Sequence, residues 1–357
     1  MRLISISRQW RFKLLAASIA SIAFLAACSD GSDPKPEIQS VVSFGDSLSD
    51  IGTYAAVTGP NGGKFTINPV QVWVENIASR YGLAITPNIV GYGADPASFS
   101  ICARPACTGY AQGGARVTDP DGIGKAGGAL ALPIKSQIAN HLAANDGRFD
   151  DNELVILFGG SNDIFAQLNA YAELAPALGR EAALAAVQNA IVTAANELLG
   201  YLRQEVLAKG AAQVVVVNLP FVSQTPFGQK TLDENGRQLA DGLVTAFNST
   251  LEKGIRDNRL PVLFFNANTA FNAMYTAPAA NGFVNNQDAA CDPLKIAAAT
   301  NGAVTTGSAL FCNGATLIPA AEADSRFQFA DSVHPTPLTH KVFSDLVIRE
   351  LSARGWL

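Results

Sequence analysis

A three-layer α/β/α sandwich around a parallel β-sheet is the fold class this sequence predicts, and three observations point to it. Short apolar runs rich in β-branched residues recur along the chain. Stretches with helical periodicity separate them. A composition of 48% hydrophobic and 15% charged residues over 357 positions supplies enough apolar surface to bury a substantial core.

The first candidate strand is 39–45 (QSVVSFG), followed at 86–91, 153–159 (ELVILFG), 213–219 (QVVVVNL) and 261–266 by runs of the same kind. Such runs suit strands covered on both faces, where every side chain is buried and alternation disappears. Between them, 70–81, 133–144, 181–208 and 238–257 read as helices, with 337–353 as a C-terminal one. Residues 92–130 and 267–330 break the alternation and are rich in Gly, Ala, Pro or Asn. They read as long ordered loops, the kind of segment that shapes substrate pockets. No linker after residue 37 calls for a second domain, so 38–357 is taken as one.

The N-terminus carries a different message. Arg2, Arg8, Arg11 and Lys13 precede an uncharged, mostly apolar run at 14–27 (LLAASIASIAFLAA), the layout of a secretory signal. As a helix that run would span only about 21 Å, short of the roughly 30 Å hydrocarbon core, which disfavours a permanent transmembrane anchor. It ends in Leu25-Ala26-Ala27-Cys28. This resembles the bacterial lipoprotein signal, in which a cysteine after small residues is lipidated and becomes the new N-terminus. Residues 28–37, polar with Pro and Gly, would then form a flexible tether. Several acyl chains on Cys28, each buried methylene contributing about 0.8 kcal/mol, would hold the domain on a bilayer. The implied location is the bacterial cell envelope, at a periplasmic or outer-membrane surface.

Removing 1–27 takes away those four of the 25 Lys+Arg and no acid, leaving 21 bases against 30 Asp+Glu, a net charge of −9. A nucleic-acid partner, which needs a basic face, is excluded on that ground, and a monomer is expected. With Cys28 lipidated, Cys102, Cys107, Cys291 and Cys312 remain, an even number suited to an oxidising compartment. Of three possible connectivities the sequence-local one is favoured, Cys102 with Cys107 and Cys291 with Cys312. Neither CxxC spacing nor clustered histidine supports a zinc site.

The chemistry concentrates in four segments. Val41 to Asp50, VVSFGDSLSD, runs an apolar strand into Gly-Asp-Ser, placing Ser47 just past a strand end, where ligands of parallel sheets bind. By itself this is equally a turn with a helix-capping serine. Near the other end, Asp331-Ser332-Val333-His334-Pro335 supplies a carboxylate and an imidazole three residues apart. A serine hydroxyl needs a base to take its proton, and the base needs a carboxylate to orient it and stabilise its charged form. Only three histidines exist. His141 lies in an apolar-periodic helix without an acid three residues before it, and His340 reads as a packing or surface residue, so His334 is the candidate base. Acyl transfer also requires donors for a developing oxyanion. Gly113-Gly114-Ala115 and the side chain of Asn162 in GGSNDIF can supply them, although a glycine turn and a helix cap are the ordinary alternatives.

In this order, FGDSLSD, AQGGARV, GGSNDIF and DSVHP resemble the four blocks of the SGNH subgroup of GDSL hydrolases. The resemblance implies Ser47, Asp331 and His334 as catalytic triad and Ser47, Gly114 and Asn162 as oxyanion hole. It further implies a flavodoxin-like, five-stranded parallel sheet of order 2-1-3-4-5, carboxylic ester hydrolysis through an acyl-enzyme, and no metal or organic cofactor. An ordinary α/β-hydrolase is disfavoured, since no serine sits in Gly-x-Ser-x-Gly. A lipid or sterol acyltransferase would use the same acyl-enzyme, and a non-catalytic lipid- or glycan-binding lipoprotein would have no need of the four reactive blocks. Short-chain esters are the default substrate, with longer acyl lipids, acetylated sugars and choline esters open.

Overall fold

In the computed structural model, residues 35–59, 62–102 and 107–357 are described. The expected signal segment 1–27, Cys28 and most of the tether lie outside the described residues.

Four strands form the central sheet: β1 (Ser40–Gly45), β2 (Glu153–Phe158), β3 (Gln213–Val217) and β4 (Leu263–Phe265), side by side in that order and all parallel. Each sits within the predicted range. Every residue of β2 is buried, the condition for a strand covered on both faces. The pleat divides the core in two. In register, Gly45 lies opposite Phe158 and Phe44 opposite Leu157, so Phe44 and Phe158 face opposite layers.

One layer contains α1 (Trp73–Arg80) and, at the C-terminus, α7 (Pro337–Ala353). Trp73, Phe158 and Phe343 meet there in edge-to-face or tilted contacts. The other contains α2 (Ile134–Ala144), α4 (Arg180–Tyr201) and α5 (Glu234–Asp257). On this side Phe44 packs against His141 and Phe149. His141 is buried beside Glu153 at 3.4 Å and stacks on Phe149, a structural position as expected. An α/β/α fold with a parallel sheet is therefore what the chain adopts.

Three features depart from the sequence reading. The segment 86–91 does not pair with β1. Residues 108–110 take that place, with Ser43 N–H donating to Thr108 O (3.0 Å) and Tyr110 N–H to Ser43 O (2.8 Å). Residues 86–88 lie one position further out, Asn88 N–H donating to Gly109 O at 2.7 Å, while Ile89–Val90 turns away to pair antiparallel with Ser100–Ile101. The expected five-stranded sheet thus has four regular strands, and short bridges complete its edge. Pro87 explains the displacement, because a residue without an N–H is confined to a sheet edge. Second, an unforeseen helix, α3 (Ser161–Leu178), precedes α4. Only Asn162, Asp163 and Ile164 of it are buried, and Phe165, Leu168 and Tyr171 pack against the core only partly, so its apolar face is shallow beside that of a core helix.

Third, 267–330 is not one long loop. It contains helix α6 (Ala267–Thr276), two shorter helices at Pro293–Ala299 and Pro319–Ala323, and β5 (Asn285–Ala289) paired in parallel with β6 (Phe327–Phe329). A separate small cluster around Cys291, Ile296, Cys312 and Phe327 holds it together. Both expected disulfides are present, Cys102–Cys107 and Cys291–Cys312, each with Cα atoms 5.8 Å apart.

Candidate active site

The serine of the first block sits where β1 ends. Gly45 allows the strand to finish against its neighbour, since a Cβ at that position would lie 2.0 Å from Phe158 O. The Gln137 amide of α2 then clamps this glycine, accepting from Gly45 N–H and donating to Gly45 O, both at 2.8 Å. Beyond it the chain turns tightly. Asp46 accepts from Leu48 N–H through Oδ1 (3.1 Å) and from Ser49 N–H through its carbonyl (3.1 Å), and Ser47 is carried at the apex, partly accessible.

His334 meets it from the far end of the chain. Its Nε2 lies 2.9 Å from Ser47 Oγ, and its Nδ1 lies 2.9 and 2.8 Å from Asp331 Oδ1 and Oδ2. Asp331 is buried and accepts three backbone N–H groups, from Val333 (2.9 Å) and His334 (2.8 Å) at Oδ1 and from Ala309 (2.8 Å) at Oδ2. Burial alone would raise this carboxyl. The charge and hydrogen bond of His334, together with the Val333 and Ala309 N–H groups, outweigh burial and hold it below its ordinary value. An ionised carboxylate only accepts, so Nδ1 must carry the imidazole proton, and Nε2 presents a lone pair to the serine hydroxyl. Phe65 packs over the imidazole with ring centroids 4.8 Å apart, limiting its rotation.

The two glycines of the second block are now distinguishable. Gly113 donates its N–H to Asp50 Oδ2 (2.8 Å), and its carbonyl accepts from Tyr54 OH (2.7 Å). Gly114 N–H has no acceptor among the described residues. Its φ of +82° and the 2.0 Å approach of Ile123 O to a would-be Cβ both demand glycine. Asn162 lies in the first turn of α3, and its Nδ2 donates to Ala115 O at 2.9 Å, leaving its second hydrogen free of any described acceptor. Ser47, Gly114, Asn162 and His334 line one cavity of about 600 Å³. A hydroxyl poised against a base, beside unused N–H donors from the Gly114 loop and from the Asn162 side chain in the first turn of α3, can perform nucleophilic attack on a carbonyl and stabilise the resulting oxyanion.

Four supporting residues were not singled out from sequence. Asp50, buried, accepts from Gly52 N–H (2.9 Å), Thr53 N–H (2.8 Å) and Gly113 N–H, tying the serine turn to the glycine loop. Burial pushes its carboxyl up to about 6, against those three bonds. Asp163 fastens the same loop to α3 by accepting from Val117 N–H (2.9 Å) and Arg116 Nε (3.2 Å). Asp50 and Asp163 stand inside quoted motifs and could have been suspected. Gln137 and Tyr54 left no local signal. His340 is fully buried, with Nδ1 3.4 Å from Trp73 N. Burial, reinforced by the charges of His334 and Lys64, pushes it down to about 3, which suits a packing role.

A family model for GDSL-like lipases and acylhydrolases matches residues 41–347. Among solved structures, an extracellular lipase from Streptomyces rimosus is similar at 17% identity and a TM-score of 0.43, over 87% of this chain and 99% of that one. No curated protein matched.

Proposed function

Given that the chain belongs to the GDSL-like lipase/acylhydrolase family, and so is an ester-hydrolysing enzyme, we propose that it cleaves carboxylic esters through an acyl-enzyme on Ser47. The observation that carries this reading is the unbroken line from buried Asp331 through His334 to Ser47 Oγ, with the last link at 2.9 Å.

In the proposed cycle His334 Nε2 takes the hydroxyl proton as Ser47 Oγ bonds to the ester carbonyl carbon. The oxyanion is held by the N–H groups of Ser47 and Gly114 and the amide of Asn162. Collapse breaks the bond to the alcohol oxygen, which receives the proton from His334. Water, deprotonated by the same imidazole, then releases the acid and regenerates the serine. Asp331 stabilises the imidazolium in both halves. Hydrolysis rather than transfer to an alcohol is proposed as the fate of the acyl-enzyme, and product analysis with acceptor alcohols present separates the two.

Ser47→Ala and His334→Ala should each lower kcat on a nitrophenyl ester by at least about a thousandfold while the fold survives. Near-normal turnover by either variant would remove the assignment. On the sequence reading alone, we also propose that lipidation of Cys28 keeps the domain at the membrane surface. Cys28→Ser should move the protein from the membrane to the soluble fraction of the cell envelope.

A further inference from the structure

The cavity beside Ser47 carries information about the substrate that the sequence did not. Its inner wall is one face of α3, where Asn162, Phe165, Leu168 and Asn169 all line it. Asn162, Phe165 and Asn169 follow the helical i, i+3, i+7 spacing and share one side of the helix, and Leu168, at i+6, stands about 120° round from Asn162 on the flank of that strip. At 1.5 Å per residue, the strip runs about 9 Å from Asn162 to Leu168 and about 10.5 Å to Asn169. It is apolar after Asn162 until Asn169 ends it. An adjoining wall comes from the segment after β3, through Phe221, Val222 and Phe227. This wall is anchored rather than loose. Asn248 of α5 accepts from Leu219 N–H (2.9 Å) and donates to Leu219 O (2.8 Å), repeating the clamp that Gln137 makes on Gly45. Phe227 N–H donates to Ser332 O (2.8 Å), and its ring meets Phe165 edge to face at 5.8 Å.

The chemistry decides which arm of the ester uses this channel. His334 must protonate the departing oxygen, so the alcohol lies on the imidazole side, among Phe65, Leu310 and Val333. The acyl chain leaves the carbonyl in another direction, and the α3 strip starts at the oxyanion donor Asn162.

We propose that the acyl group is a medium-length aliphatic chain of about eight carbons, laid along α3 over the Phe165–Phe227 contact and beside Phe221 and Val222, with Leu168 limiting its length. An all-trans chain with bonds of roughly 1.5 Å advances about 1.25 Å per carbon, so eight carbons fill about 10 Å. This deepens the esterase reading and rests on it. It also moves the expected substrate away from short-chain esters.

The test is a series of nitrophenyl esters from acetate to dodecanoate, run beside acetates of increasingly long alcohols. For the acyl series kcat/KM should climb about two- to fourfold per methylene as far as the octanoate, the upper figure being the fold-change equivalent to burying one CH₂ (about 0.8 kcal/mol), and then level or fall. Leu168→Trp should lower the octanoate-to-acetate ratio at least about tenfold, and Leu168→Ala should move the optimum to longer chains. Labelling of Ser47 by a fluorophosphonate reports the active serine independently in every variant. A labelled enzyme whose wild type prefers acetate, whose ratio ignores both Leu168 variants, or whose rate follows the alcohol length instead would overturn the acyl channel and leave the esterase reading standing. Absence of both labelling and ester cleavage would remove the esterase reading, and the channel with it.

Discussion

Asn162→Ala separates a catalytic donor from a structural one. Among the described residues the side chain makes one hydrogen bond, Nδ2 to Ala115 O at 2.9 Å. Its second hydrogen is the one proposed to meet the oxyanion. Loss of the internal bond costs about 0.5–1.5 kcal/mol of stability, which in a domain of this size lowers the melting temperature by only a few degrees. Loss of an oxyanion donor costs about 2.7–4 kcal/mol of transition-state stabilisation, or 10²–10³ in kcat. The two effects therefore differ greatly in scale. Stopped-flow or steady-state hydrolysis of a nitrophenyl ester, together with a thermal melt, reads both. The expected result is a kcat reduced at least a hundredfold, KM changed little, and a melt shifted by a few degrees. A kcat within about threefold of wild type, with a normal melt, would refute the oxyanion role. A collapsed melt would mean that the Ala115 bond carries far more stability than one hydrogen bond should, and Asn162→Ser, which retains a donor in a smaller side chain, would then serve for the rate measurement.

Gly114→Ala should lower kcat about a hundredfold or more, because a methyl group cannot occupy a position 2.0 Å from Ile123 O at a φ of +82° and the loop must shift; wild-type kinetics would contradict this. Replacing Cys291 and Cys312 together by Ser opens a loop of sequence separation 21 and should cost on the order of 3 kcal/mol in the chain-entropy model, read by urea denaturation. It should also lower kcat, since Ala309, whose N–H holds Asp331, lies three residues before Cys312. Burial pushes the Asp46 carboxyl up to about 6 from 3.8, aided by Asp163 and opposed by Leu48 N–H and His334. A raised folded pKa means that the native state binds more protons than the unfolded one between about pH 4 and 6, so stability from this group is present at pH 4 and lost as pH rises through 6. Asp46→Asn should therefore be more stable than wild type at pH 8, by up to about 3 kcal/mol, with the difference vanishing near pH 4. A difference independent of pH would refute the ionisation argument.

Much of the architecture was legible because burial on both faces of a parallel sheet writes itself locally. A strand such as ELVILF has no polar side to show, and its apolar run marks it wherever it packs. The edge of the sheet was not legible. Residues 108–110 are too short to announce a strand, and they hold their place only because Ser43 and Asn88 supply partners from elsewhere. Helix α3 escaped for the opposite reason. Its apolar side chains Phe165, Leu168 and Tyr171 are only partly buried, the first two against the cavity, so no deep core face marks it.

The site divides along the same line. Chemistry-bearing side chains are rare and fall in compact motifs, so Ser47, Asn162, Asp331 and His334 could be named one by one, as could a disulfide pairing between near neighbours. Their convergence depends on contacts between distant segments. The choice between Gly113 and Gly114 turns on Asp50 accepting from one N–H and not the other. The hold on Gly45 comes from a glutamine ninety-two positions away. The lining of the cavity follows from which face of α3 points inward. Residue identity and local spacing are properties of the covalent chain and can be read from it. Hydrogen-bond partnership and cavity shape arise only when burial brings remote backbone groups close enough to need one another, and the folded protein alone decides them.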